Sequence, residues 1–490
     1  MEWTVLTGIF LVLALTLVFI MNIKSVWNCC NRGDFPPGPR PLPVIGNLHI
    51  MDLKRPSRTL LELSETYGPV FSIQMGFTKT VVLSGYEMVK EALVNQADAF
   101  AERAEVPAFE ELSRGNGDFS ILFSHGENWK VMRRFTLSTL RDLGMGKRVI
   151  EDHIVEECGH LIENIDSQKG KPIDLTMIMN AAVANVIVSI LLGERFSYTD
   201  PQFTRLLHLI NETIKLYSQY LFLLDELYAF TQVAFTKHLK TLDRNDQRSL
   251  IDAFFIRQQE EKSDTKSYFN NDNFKSLISN LFSAGMDTTS TTLCWGILLM
   301  TKYPKIQRKC FFDRPHGVPV IVQEEIEKVL GSNPPRMEYR SKMPYTDAVI
   351  HEIQRFANIL PMNLPHATTM DVTLKGYFIP KGTYIIPLLA SVLQDKSEWE
   401  KPDAFYPEHF LDAEGKFVKK EAFMPFSAGR RRCVGETLAK MELFLFFTSL
   451  LQRFSLHSAP GVSSSDLDLT PEVGLTSGPL PHKICMAARA

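Results

Sequence analysis

The 490-residue chain reads as a mainly α-helical protein with small β-sheets, on three observations. Apolar residues recur at helical spacing through ten segments. Strand-like alternation is confined to two stretches, 70–83 and 372–386. Beyond residue 44 no low-complexity run, internal repeat or second linker divides the chain. Length alone would suggest two or three domains, but nothing in the pattern marks a boundary.

Residues 4–23 form an uncharged, mostly apolar run of about the length that spans a bilayer core. A cleaved signal peptide has a shorter apolar region ending at a small-residue site. Here the run is followed by Lys24, Arg32 and Arg40, with only Glu2 before it, so the positive-inside rule leaves the bulk of the chain in the cytosol. A single uncleaved anchor over 1–24 is expected. Pro36, Pro37, Pro39, Pro41 and Pro43 then make 25–43 a stiff linker, because proline fixes φ and excludes helix. Residues 44–490 make up the rest of the chain.

Within it the pattern predicts helices over 56–67, 86–95, 127–142, 146–167, 175–192 and 203–215, then 246–261, 274–302, 345–356 and 436–453. Gly376 and Gly382 mark turns in the second alternating stretch. Seven scattered cysteines in a cytosolic domain argue against disulfides. Cys29 and Cys30, just past the anchor, are read as unmodified thiols, with acylation as the alternative. The predicted topology hides the sequon at Asn211 from the lumenal machinery. A net charge of −3 gives no reason to invoke nucleic acid.

The chemistry-bearing stretch is Phe426-Ser427-Ala428-Gly429-Arg430-Arg431-Arg432-Cys433-Val434-Gly435, just ahead of an apolar helical run. Cations and a helix N-terminus both favour thiolate over thiol. A nucleophile would want a nearby base, and no local histidine supplies one; zinc would want further Cys or His at short spacing, which the chain lacks. A lone thiolate beside an arginine suits haem, with sulfur on iron and the guanidinium on a propionate. The same ten residues also fit a buried helix-cap cysteine behind a solvated basic turn. Trp129 and Arg133 share a helix face and offer two donors to a carboxylate, or simply decorate a surface. Glu352 and Arg355 form an i,i+3 pair, as helix decoration often does. Ala284-Gly285-Met286-Asp287-Thr288 places poor helix formers in a long helix, which suits a solvated kink or a proton relay.

Taken together these segments resemble the cytochrome P-450 family, the haem-thiolate monooxygenases, and within it the microsomal second family. The matches are FxxGxRxCxG at Phe426 to Gly435, ExxR at Glu352 and Arg355, WxxxR at Trp129 and Arg133, AGxDT at Ala284 to Thr288, and the proline-rich PPGPRPLPVIGN at Pro36 to Asn47. They follow the family's order and span nearly the whole chain.

The resemblance implies a fold with haem b between the long central helix and the helix after the cysteine loop. It implies Cys433 as the iron ligand, with Arg431, Trp129 and Arg133 on the propionates. Arg103 and His366 match further propionate positions, and Glu352 with Arg355 would brace the segment leading to the cysteine loop. It implies that Gly285 and Thr288 open the helix where dioxygen binds and that Asp287 supplies protons. Phe119, Ala284, Leu360 and Leu475 would line a substrate pocket for fatty acids, steroids or foreign compounds. The chain has no dinucleotide fingerprint of its own. The family therefore implies electrons from NADPH through a flavoprotein reductase, with a b-type cytochrome as an optional second donor, at the endoplasmic reticulum membrane. Lys130, Arg134, Arg430 and Arg432 would offer that partner basic charge.

Three features depart from the family. Where a PERF-type motif normally adds an arginine to the brace, this chain reads Phe405-Tyr406-Pro407-Glu408-His409-Phe410. Residues 310–321, with Pro315, Gly317 and Pro319, interrupt what is usually one helix. The stretch 220–235 is shorter than in relatives. Two rivals accompany the monooxygenase reading: a haem-thiolate isomerase or peroxygenase, against which the Asp287–Thr288 pair argues, and a non-catalytic haem-binding membrane protein.

Overall fold

The computed structural model describes residues 34–105, 121–215, 226–307 and 322–489, with gaps at Tyr228, Thr231, Val233, Ala234, Lys237 and Val473, together with Thr16. The predicted anchor, Phe119 and the 310–321 segment lie outside the described residues, Thr16 apart, as does most of 220–235. Among the described residues no helix is long and apolar enough to cross a membrane.

The chain forms two compact units, each assembled from separated stretches. The first comprises Met1–Ala104, Pro361–Asp395 and Ser427–Arg432; the second comprises Glu105–Leu360, Lys396–Phe426 and Cys433–Ala490.

The first unit opens with helix α1 (Pro56–Tyr67), which carries proline at its first turn where no amide partner is needed. The alternation of 70–83 resolves into an antiparallel hairpin of β1 (Val70–Met75) and β2 (Thr78–Leu83). With β3 (Glu102–Arg103), β4 (His366–Ala367) and β7 (Tyr384–Pro387) they make a five-stranded sheet in the order β1-β2-β7-β4-β3. The second alternating stretch is therefore divided: β5 (Val372–Leu374) and β6 (Tyr377–Ile379) pair as a separate hairpin, and only β7 joins the larger sheet. Leu60, Phe71, Ile73, Val82, Ile386 and Leu388 seal α1 against the sheet. The helix predicted over 86–95 is helical only over Tyr86–Lys90 before it widens into a π turn over Glu91–Asn95.

The second unit is the helical core. Its helices are α2 (Gly126–Asp142), α3 (Arg148–Ser167), α4 (Thr176–Leu192), α5 (Pro201–Lys215), α6 (Leu250–Glu260), α7 (Asn271–Lys302), α8 (Val322–Leu330), α9 (Pro344–Ala357) and α10 (Glu436–Arg453). Side-chain caps explain two of the starts. Ser249 accepts from the Asp252 amide at α6, and Asn270 accepts from the Asn273 amide at α7. α4 is apolar all round and buried along most of its length, as expected of a central helix. Gly193 in left-handed conformation ends it. β8 (Phe454–Ser458) and β9 (Ile484–Ala488) form a C-terminal hairpin.

Candidate functional site

α7 is continuous through Ala284–Thr289, which corrects the expectation of an opening there. Gly285 has a packing role instead. A Cβ at that position would lie 2.7 Å from Cδ1 of Ile187, so the missing side chain lets α7 approach α4 closely. Thr288 Oγ1 donates to the Ala284 carbonyl at 2.8 Å, a back-bond that satisfies its hydroxyl without breaking the helix. Asp287 is buried, and its Oδ2 accepts from Thr476 Oγ1 at 2.7 Å. The sequence reading missed Thr476, and no local signal marks it.

On α2 the Arg133 guanidinium lies over the Trp129 ring at 5.9 Å, and Trp129 is buried. Burial lowers the Arg133 pKa, and the nearby Cys433 sulfur opposes that shift. The Cys433 amide donates to the Phe426 carbonyl at 3.1 Å, and Gly435 is the N-cap of α10 two residues on. The backbone amides of Gly435 and Glu436 point at the sulfur. Cys433 retains accessible surface although protein atoms crowd around it.

The net effect on this thiol differs from the sequence expectation. Burial pushes its pKa up, and the two backbone amides and Arg133 only partly offset that, with Glu436 adding to the rise. The expectation weighed the cations and the helix end but not desolvation. Cys433 remains distinct from the other buried cysteines. Cys158 and Cys294 are pushed up to about 12 by burial, which leaves them inert thiols.

The first unit gathers three more of the predicted residues. Arg103 and His366 are register partners across β3 and β4, and both are buried, as is Arg431. Arg103 donates to the Leu364 carbonyl at 3.1 Å, and Arg431 Nε donates to the Ala101 carbonyl at 2.7 Å. His366 Nδ1 is 2.7 Å from the Phe100 carbonyl, so that nitrogen carries the proton. Nε2 is buried without a hydrogen-bond partner among the described residues. Burial and the Arg103 and Arg431 charges push the imidazole pKa well below its ordinary value. Two buried guanidiniums beside an unsatisfied imidazole nitrogen fit a bound group that brings carboxylates. Gly429 shapes the loop before the cysteine: its φ is +72°, and a Cβ would meet the Leu93 carbonyl oxygen at 1.8 Å. No cluster of three or more His, Cys, Asp or Glu suited to a metal occurs among the described residues.

Glu352 and Arg355 on α9 are fully buried, so they are no surface decoration. Arg355 clasps Glu352 in two bonds of 2.7 and 2.8 Å and donates to the Pro402 and Ala404 carbonyls. His409 fills the place of the expected arginine. Its Nε2 accepts the Lys401 amide at 3.1 Å, which leaves Nδ1–H to donate to Glu352 at 3.1 Å. An imidazole thus completes the brace. Of the pocket candidates, Ala284 and Leu360 are half-buried and Leu475 is exposed. Of the basic positions, Lys130 is held by Glu127 and Arg430 by Asp98, while Arg134 and Arg432 are exposed.

In the second unit a cysteine at a helix start and an acid–alcohol pair on a central helix suit a haem-thiolate class of enzyme. The cytochrome P450 family model matches residues 36–244 and 222–486. The chain is 49% identical to cytochrome P450 2K4 of Oncorhynchus mykiss, covering 94% of this chain and 92% of that protein. It is 43% identical to cytochrome P450 2C23 of Rattus norvegicus over the full length of both, and 43% identical to cytochrome P450 2B2 of the same species over 98% and 99%. The chain belongs to the cytochrome P450 family, with relatives in its second family, and is a haem-thiolate monooxygenase.

Proposed function

We propose that this protein is a membrane-anchored monooxygenase of lipophilic small molecules, holding haem b through Cys433 and drawing electrons from NADPH by way of a flavoprotein reductase, with a b-type cytochrome as a second donor. Residues 1–24 would anchor it in the endoplasmic reticulum membrane, 25–43 would link, and 44–490 would form the cytosolic catalytic domain. The observation that carries the reading is Cys433 itself, a thiol that faces two helix-start amides and Arg133 and keeps accessible surface, while Cys158 and Cys294 are buried.

When bound, haem supplies oxygen activation, which a thiolate ligand assists. The chain's own residues do the rest. The amides of Gly435 and Glu436 and the Arg133 charge partly offset the burial that disfavours the anionic sulfur. Arg103, Trp129, Arg133, His366 and Arg431 would orient the propionates. Asp287 would carry protons from water toward Thr288, whose hydroxyl is held by its back-bond to the Ala284 carbonyl and would pass them on where the haem activates oxygen. Ala284, Leu360 and Leu475, and Phe119 by its sequence position, would line a pocket for a substrate such as a fatty acid, a steroid or a foreign compound.

The ferrous carbonyl complex should show the red-shifted Soret band of sulfur ligation. Cys433→Ala should abolish it, whereas Cys158→Ala and Cys294→Ala should keep it. An unchanged band in Cys433→Ala overturns the ligand assignment. NADPH-dependent oxidation of a lipophilic panel, with and without reductase, tests the electron route.

A further inference from the structure

His366 has one ring nitrogen whose state is settled and one left over. Nδ1 lies 2.7 Å from the Phe100 carbonyl, an acceptor with no hydrogen to give, so Nδ1 carries a proton. In the neutral ring Nε2 is then a bare lone pair. It is buried, and among the described residues it has no hydrogen-bond partner. A buried polar atom left unsatisfied costs free energy, which a bound group can relieve.

The surroundings decide which form the ring takes. Arg103 faces it across the β3–β4 pairing, and Arg431 approaches from the 427–432 loop. On the other side of β4, strand β7 sets Ile385 opposite His366 and adds no charge. The Glu102 carboxylate stands 3.4 Å from Arg431 and accepts the Arg103 amide at 3.0 Å, which offsets part of the cationic charge. Burial and the two guanidinium charges still hold the imidazole neutral, with its pKa well below the ordinary value.

A carboxylate only accepts hydrogen bonds, and so does Nε2 of this tautomer. Set against each other, the two repel. One proton between them turns the clash into a charge-assisted hydrogen bond. That proton comes from solvent, and the count is the same whether it rests on Nε2 or on a carboxylate oxygen. The negative charge of a propionate also opposes the guanidinium repulsion that disfavours an imidazolium.

We propose that His366 takes up a proton when haem binds, shared between Nε2 and a propionate. The inference rests on the reading of His366 as a propionate contact. Its sign follows from linkage. The shared proton strengthens haem binding on the acid side, and that contribution is lost as pH rises through the pKa of the loaded pair. Within the window haem affinity falls by up to about tenfold per pH unit.

The test follows haem loss from the full-length loaded enzyme to excess apomyoglobin between about pH 6 and pH 9, and it needs no turnover. Each variant is set against the parent at the same pH, so titrations common to both, such as those of Cys433 and Glu442, cancel. His366→Gln places an amide N–H about where Nε2 stands, and His366→Asn keeps a donor toward the Phe100 carbonyl; neither side chain titrates. Haem loss from the parent should quicken with rising pH by about tenfold relative to His366→Gln. Should His366→Gln fail to load, His366→Asn gives the same comparison of slopes. Infrared spectra of the loaded parent, with labelled histidine and labelled propionates, should show either the doubly protonated ring or the carboxylic acid, and His366→Gln should show neither. Parallel pH profiles, or the absence of both bands from the parent, overturn the proposal. If His366→Asn holds haem as tightly as the parent at every pH, the propionate reading of His366 fails first; if it loses haem faster but with the parent's slope, the shared proton alone fails.

Discussion

A carboxyl group sealed among helices without a cationic partner stays protonated at neutral pH, and Glu442 is in that position. It lies on α10 with 1% of its surface accessible; Oε2 accepts from Thr289 at 3.3 Å and Oε1 has no partner among the described residues. Burial raises its pKa to about 8, with the Thr289 bond opposing. Folding therefore takes up a proton between pH 4.5 and about 8. Stability falls as pH rises through that window and levels off above it, by an amount on the order of a few kcal/mol. Glu442→Gln should flatten that slope and raise Tm at pH 8 relative to the parent, as thermal melts across pH 5–9 would show. An unchanged slope would mean the ionised form is tolerated. His366 has the opposite sign. Its lowered pKa means that stability is lost as pH falls below its ordinary value of 6.5.

The brace around α9 is a matter of whole elements, because Glu352 and Arg355 join that helix to the 402–409 segment. Besides Arg355 and His409, the Tyr406 amide donates to Glu352 at 2.8 Å, and the Trp399 ring lies 5.3 Å from the Arg355 guanidinium. Removing one partner of a buried ion pair strands the other charge. Arg355→Ala should therefore cost about 3–5 kcal/mol, read as lost haem-loaded yield and an earlier denaturant midpoint. His409→Ala should cost less, about 1–3 kcal/mol, since Glu352 keeps three other donors. If the two variants cost the same, the imidazole carries more of the brace than its hydrogen bonds imply. At the cysteine loop, Gly429→Ala should abolish loaded protein altogether, because the added Cβ would meet backbone and not a movable side chain.

Across the whole molecule, the 310–321 segment departs most from the family pattern. The helices on either side are firmly docked. Gln307 bonds the Met300 carbonyl and both polar backbone groups of Leu456, and Gln323 bonds the Leu451 and Phe454 carbonyls. Flanks held at the same helix–strand junction tolerate an insertion between them, since loop closure grows costly only slowly with length. Deleting 310–321 should raise haem-loaded yield and Tm without changing which substrates are oxidised. A lower yield would show that the segment belongs to the native fold.

The sequence by itself determined most of the helices, because periodicity and caps are local, but it left out α8 and the strands β3, β4, β8 and β9. The segments read as 127–142 and 436–453 match α2 and α10 to within a residue. It also marked Cys433, Asp287, Thr288, Glu352 and Arg355, because motif spacing is local too. Tertiary structure alone decided what surrounds them. Thr476 meets Asp287 across 189 residues, and the 372–386 stretch splits between two sheets. Gly285 serves helix contact, and the Cys433 thiol rises where its neighbours in sequence would lower it. Burial and long-range hydrogen bonds set these outcomes. Both depend on which distant segments come into contact, and no window of sequence contains that information.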